Sequence, residues 1–241
     1  MIAGTVEGAG AALAYRETGS GRPAVVVHDV AADAATWAPS LPRIGGRVIA
    51  YDRRGYGSST KPEGYAATTV EEQAEDLAAL LRALCAAPAL LLGDGFGALM
   101  TLDVAKRHPG LVASLVLADT PLYAFVASAT PALAEQRSTL QDALHAGGPA
   151  EAIAAYLDGR ARAEQVARAQ AAGPAFFADY AGLSSWPVTR RELRAITIPA
   201  VVLTRPHAAS HVAAAADALA GLLPAATRVR DGDPVDAAAA R

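Results

Sequence analysis

Apolar and polar positions along the chain follow two alternating rhythms. Residues 11–21, AALAYRETGSG, alternate and then break at Gly19 to Gly21, the pattern of an antiparallel strand. PAVVVH (23–28) and GRVIAYD (46–52) are short unbroken apolar runs, as expected of strands buried on both faces. In TVEEQAEDLAALLRAL (69–84), Val70, Ala74, Leu77, Leu81 and Leu84 recur at helical spacing. Thr69 stands three residues before Glu72, the spacing of a capping box. ALLLG (89–93) predicts a strand, FGALMTLDVAKRHPG (96–110) a helix stopped at Pro109-Gly110, and VASLVLAD (112–119) another strand.

From Pro121 to Ile196 the rhythm changes to Ala-rich helical segments with no strand pattern. PAVVLT (199–204) then resumes the sheet, AAAADALAGLLP (213–224) predicts a helix and ATRVR (226–230) a last strand. Little chain follows, so a closing helix is expected to be short or missing. Alternating strands and helices predict a doubly wound, mostly parallel α/β sheet with helices on both faces. The expected organisation is one domain. Its core comes from 1–120 and 197–241, with a small helical cap inserted at 121–196.

Composition narrows the classes. The chain has 241 residues, 52% apolar and 19% charged, which fits a globular domain with a sizeable core. A net charge of −3 with no strongly basic stretch argues against nucleic-acid binding. Cys85 is the only cysteine, so no intrachain disulfide can form; within LRALCAAP it reads as a buried, inert thiol. The first residues lack a charged start followed by an apolar segment, and no apolar run reaches membrane-spanning length. The expectation is a cytoplasmic protein, monomer or homodimer, with no membrane partner. His207 and His211 share a helical spacing but have no third ligand beside them, so no metal and no cofactor are expected.

Four motifs in order resemble the α/β-hydrolase superfamily, of the small cap-bearing esterase and peroxidase-like kind. VVVHD (25–29) is similar to its strand and oxyanion loop, usually ending His-Gly. YDRRGYGSS (51–59) matches the D-x-R-G-x-G-x-S turn at Asp52, Arg54, Gly55, Gly57 and Ser59. LLLGDGFGAL (90–99) resembles the nucleophile elbow G-x-S-x-G. HPGLVASLVLADTP (108–121) is similar to the strand leading into the cap. The resemblance spans nearly the whole chain and implies the α/β-hydrolase fold.

The family's chemistry carries over incompletely. A serine hydrolase needs a nucleophile, a His base and a carboxylate that orients the His. Gly95 occupies the nucleophile position, no His follows His211, and the loop RPHAAS (205–210) has no carboxylate. Asp29 stands where the family keeps a small residue beside the oxyanion. The reading is a degenerate member that binds a small hydrophobic molecule or peptide and catalyses non-covalent proton transfer, as an isomerase, epimerase or lyase. Members without the serine include an epimerase of peptide natural products, so the resemblance permits this chemistry. A non-catalytic binding protein and a divergent hydrolase with an Asp-activated water remain open alternatives.

The candidate acid–base residues are Asp29 and Asp94, because a crowded or buried carboxylate gains proton affinity and can transfer protons near neutral pH. Binding is assigned to His28, Phe96, Tyr123, Trp186 and His207 around a crevice at the ends of the strands. His28 also suits a loop anchor, and Asp52 with Arg54 a turn-bracing pair. Trp37, Phe125, Phe176 and Phe177 complete an aromatic set expected to flank an apolar pocket. Gly95 is expected to have positive φ, and its replacement by Ser to cost only backbone strain, about 1–3 kcal/mol.

Overall fold

The computed structural model describes residues 1–159 and 161–241. Eight strands form one sheet: β1 (Ile2–Glu7), β2 (Ala12–Thr18), β3 (Pro23–Val27), β4 (Arg47–Tyr51), β5 (Ala89–Asp94), β6 (Val112–Ala118), β7 (Ala200–Leu203) and β8 (Ala226–Val229). Their order is β1-β2-β4-β3-β5-β6-β7-β8. The β1–β2 and β2–β4 pairs are antiparallel, and the remaining pairs are parallel. The apolar runs of β3, β5 and β6 are buried because helices cover both faces.

The helices outside the long β6–β7 connection are α1 (Ala34–Trp37), α2 (Leu41–Ile44), α3 (Val70–Ala83), α4 (Phe96–Arg107), α9 (Ser210–Leu222) and α10 (Pro234–Ala239). That connection holds α5 (Thr130–Leu157), α6 (Ala163–Ala171), α7 (Gly173–Gly182) and α8 (Arg190–Arg194), with no strand among its described residues. Helix α5 breaks at Gly148, where φ is 75° ahead of Pro149. Two cores result. Leu77, Leu81, Leu102 and Leu219 pack on one face against Val25, Leu91 and Leu115. Trp37, Leu41 and Val235 pack on the other against Val26, Val48, Leu92 and Val116. No helix among the described residues is long and apolar enough to cross a membrane.

Several local expectations need correction. Strand β1 was not legible, since its largely exposed residues Ile2–Glu7 show no buried alternation. Thr69 does accept a hydrogen bond from the Glu72 amide, but the Glu72 carboxylate turns to Thr68 and Arg54. A complete capping box stands instead at Thr189 and Glu192, opening α8. The closing helix is short, as expected: α10 has six residues, and Asp233 caps it by accepting from the Val235 and Asp236 amides. Cys85 is exposed with φ of 48°, because the chain turns sharply out of α3 there. Asp52 and Arg54 both brace, but separately. Asp52 accepts from the Ala34 and Ser58 amides, while Arg54 pairs with Asp76 and Glu72.

Register fixes what converges above the sheet. Val27 lies beside Gly93, Asp94 beside Ala118, and Ala118 beside Leu203. His28, Asp94, Asp119 and Thr204 therefore crown four adjacent strands at their carboxyl ends. Helix α4 presses onto β3 at Gly97, where a Cβ would overlap the Val27 carbonyl oxygen. Gly97→Ala should lift α4 from the sheet and cost about 1–3 kcal/mol in a urea titration; an unchanged midpoint would contradict this packing.

Candidate active site

The turn from β5 into α4 is made by Gly95, with φ 51° and ψ −122°. This left-handed conformation costs glycine least, as expected for the tight strand-to-helix turn. The Gly95 amide donates to Ala118 O at 2.9 Å, which locks the turn to β6. The next amide, of Phe96, is the first of α4 and has no partner inside the helix.

Asp29 fills the space above this turn. Its Oδ1 accepts from the Val30 amide and the Phe96 amide, both at 2.8 Å. A Cβ built on Gly95 would overlap the Asp29 carboxyl carbon and both its oxygens. The two positions therefore exclude each other: with Asp29 in place, no side chain fits at 95. This corrects the expectation that Gly95→Ser would cost backbone strain alone, because Asp29 must also move.

Surroundings set the proton affinity of Asp29. Burial raises its pKa first and the Asp94 charge adds to that; the Phe96 and Val30 amides and the Arg53 charge pull the other way. The outcome is a carboxyl pushed up to about 7. Asp94 is likewise raised by burial, against the opposing pull of Arg205. Arg205 reaches Asp94 Oδ1 at 2.7 Å and Asp119 Oδ2 at 2.6 Å, and its amide donates to Asp119 Oδ1 at 3.1 Å. One guanidinium thus clamps the ends of β5 and β6. Tyr123 lies close enough that, after burial, the charges of Asp29 and Asp119 hold its phenol up.

The structure gathers Asp29, Asp94, Phe96 and Tyr123 and places three other candidates apart. His28 is 1% exposed, with Nδ1 against Asp29 O at 2.7 Å and Nε2 accepting the Arg53 amide at 3.0 Å. Both nitrogens are spent on the backbone, and burial holds its pKa well below the usual histidine value, so it is a loop brace in place of a ligand contact. Trp186 packs along α4, donating to Asp103 Oδ1 at 3.2 Å beneath Lys106, and forms no wall above the strand ends. His207 is exposed at a turn with φ of 64°. Its neighbour Arg205, which sequence reading passed over, is the residue that faces the carboxylates. A cation just after a strand end, opposite Asp94 and Asp119, was the available signal.

The aromatic set does not flank one crevice. Trp37 lies in the core on the opposite sheet face from Phe96 and Phe176. A cavity of about 280 Å³ lies to the β4 side of the Asp29 loop, between the 52–61 turn and α6. Arg16, Asp33, Asp52, Lys61 and Arg168 line it together with six alanines, and it lies beside the loop after β3 rather than over the strand ends of Gly93 and Asp119.

A mostly parallel sheet covered by helices on both faces, with polar residues at a strand-to-helix turn, defines an α/β-hydrolase-type protein. Comparison with known proteins agrees: the family model for the alpha/beta hydrolase fold matches residues 21–164, and the chain belongs to this family. It is 34% identical over 155 residues to 2-(acetamidomethylene)succinate hydrolase of Mesorhizobium japonicum, covering 61% of this chain and 52% of that one. It is 38% identical over 117 residues to pimeloyl-[acyl-carrier protein] methyl ester esterase of Sodalis glossinidius, covering 46% and 42%. The matches span about half the length of these relatives. An α/β hydrolase of Sphaerobacter thermophilus superposes with a TM-score of 0.76 at 26% identity, over 98% of this chain and 97% of that one.

Folding raises the Asp29 pKa above its unfolded value, so its ionisation opposes folding. That penalty is absent below about pH 4, where both states are protonated, and grows as pH rises through about 7. Asp29→Asn should therefore gain stability over the parent as pH goes from 5 to 8, on the order of 1–3 kcal/mol. Urea titrations at the two pH values check this, and a pH-independent difference would contradict it.

Proposed function

We propose that this chain is a proton-transfer catalyst of the isomerase, epimerase or lyase type. It works without a covalent intermediate on a small hydrophobic molecule or peptide held between the helical insertion, as a cap, and the strand ends. Asp29 is the acid–base group. The observation that carries this reading is the Asp29 carboxyl lodged over Gly95, with one oxygen anchored by two amides. Anchoring Oδ1 leaves Oδ2 to exchange a proton, and a pKa of about 7 suits both directions of transfer.

The step balances simply. Oδ2 of ionised Asp29 takes a proton from an activated carbon. In isomerisation or epimerisation the C–H electron pair stays on the substrate and the proton is returned to the same or a neighbouring atom. In elimination that pair forms the new C=C, and the β-leaving group departs with its bonding pair and takes the proton. Acyl transfer of the usual kind is disfavoured on two counts. Gly95 offers no nucleophile, and the amides that would receive a carbonyl oxygen are engaged by Asp29. Asp94 adds negative charge nearby and is held by Arg205, which Asp119 holds in turn.

A second reading draws on the relatives, whose names are those of hydrolases and esterases. In it, Asp29 activates water for direct hydrolysis. The two are separated by incubating the protein in D₂O with N-acyl dipeptide amides and, separately, with short p-nitrophenyl esters. Proton transfer predicts carbon-bound deuterium at a rate that rises between pH 6 and 8 and falls at least about 100-fold in Asp29→Asn. It also predicts no stoichiometric adduct with an organophosphonate. Ester hydrolysis dependent on Asp29 without deuterium incorporation would favour the second reading, and neither activity would leave a binding protein.

A further inference from the structure

Behind the Asp29 loop lies a buried polar network that the proton-transfer reading does not use. Arg53, at 1% exposure, and Asp179, at 0%, form an ion pair with Arg53 Nη2 to Asp179 Oδ2 at 2.7 Å. Arg53 follows β4, whereas Asp179 lies on α7 of the helical insertion. Gln73 joins them, accepting from Arg53 at 2.6 Å and donating to Asp179 Oδ1 at 2.7 Å. The Tyr56 hydroxyl donates to Asp179 Oδ2 at 2.9 Å, and its ring meets the His28 ring edge-on with centroids 5.0 Å apart.

From Arg53 the network runs directly to the candidate site. Arg53 Nε donates to His28 O at 3.1 Å, and its amide donates to His28 Nε2 at 3.0 Å. His28 Nδ1 in turn donates to Asp29 O at 2.7 Å. Every link holds the backbone or ring of the loop that carries Asp29. A buried ion pair of this kind contributes little net stability over an apolar replacement, because desolvation offsets its attraction. Its geometric value is larger: a planar guanidinium fixed by three partners orients whatever it bonds to.

We propose that Asp179, on the helical insertion, is a positioning residue for Asp29 that acts through Arg53 and His28. The cap and the acid–base carboxyl are then one mechanical unit, and a substrate that shifts α7 shifts Asp29. The inference rests on the reading of Asp29 as the acid–base group. Its test reads the carboxyl with no substrate present, so failure of positioning is separable from failure of turnover.

Charges on every side of Asp29 bear on that test: Asp94 from β5, with Asp119 and Arg205 behind it, Arg53 beyond β4, and the Tyr123 phenol. The experiment is a ¹³C titration of the Asp29 carboxyl in the full chain. Asp179→Asn leaves the Arg53 charge uncompensated, so the Asp29 midpoint should fall by about 0.5–1 pH unit. Arg53→Gln leaves the Asp179 charge uncompensated, so the midpoint should rise by a similar amount. Arg53→Lys, which keeps the charge but loses the planar fork, should restore most of the parent midpoint while the Val30 and Phe96 amides still exchange faster than in the parent. Simple loosening would admit water and lower the midpoint in both variants, so a fall in both, or no shift in either, overturns the proposal.

Should a single variant fail to fold around its lone charge, the neutral pair Arg53→Gln with Asp179→Asn removes both charges. There the Val30 and Phe96 amide hydrogens should exchange at least about 10-fold faster, while that of Leu115 in β6 is unchanged. Unchanged exchange at Val30 and Phe96 would equally overturn it.

Discussion

One carboxylate organises this site. Asp29 occupies the space that a side chain at Gly95 would need, and it receives the two amide hydrogens that face that space. Neither feature makes sense alone. Glycine without Asp29 would leave a gap and two bare amides above the strand ends. Asp29 with any larger residue at position 95 would collide. The pairing replaces one arrangement of the elbow by another, in which charge sits on the loop after β3 rather than on the turn after β5.

The rest of the polar architecture follows from burying that charge. A carboxylate held in a poorly solvated loop gains proton affinity unless it is compensated. Here the two amides and Arg53 compensate in part, while Asp94 works against them, and the balance falls near neutrality. Arg205 keeps Asp94 and Asp119 from adding their full repulsion by bridging both. Burial, and then the Arg53 charge, hold the His28 pKa well below the usual histidine value, against the pull of its bond to Asp29 O. The site is consequently acidic, with its fixed positive charge held behind or beside the carboxyl.

Much of the fold was legible because it rests on local periodicity. The apolar runs of β3, β5 and β6 and the helical spacing of Val70 to Leu84 are properties of neighbouring residues. The glycine turn at 95 and the place of Asp29 near it follow instead from the resemblance of LLLGDGFGAL and VVVHD to the elbow and oxyanion loop of the α/β-hydrolase family. Strand β1 escaped because an exposed edge strand has no buried alternation to betray it. The Arg205 clamp and the Arg53–Asp179 pair escaped because they join residues far apart in the chain, and a charge pattern does not say which distant partner it meets. Trp186 was misplaced by the same limit: its aromatic character was plain, but its contact with Asp103 and α4 depends on how the helical insertion docks.

The central claim is that Asp29 and Gly95 are two halves of one space. A double-mutant cycle measures this directly, with unfolding free energies for the parent, Gly95→Ser, Asp29→Gly and the double variant at pH 8. Mutual exclusion predicts that Gly95→Ser is markedly destabilising alone and that Asp29→Gly relieves it, giving a coupling of at least about 1 kcal/mol in favour of the double variant. Additive effects, within about 0.5 kcal/mol, would mean that the Asp29 carboxyl does not occupy the place above the turn, and would contradict the account.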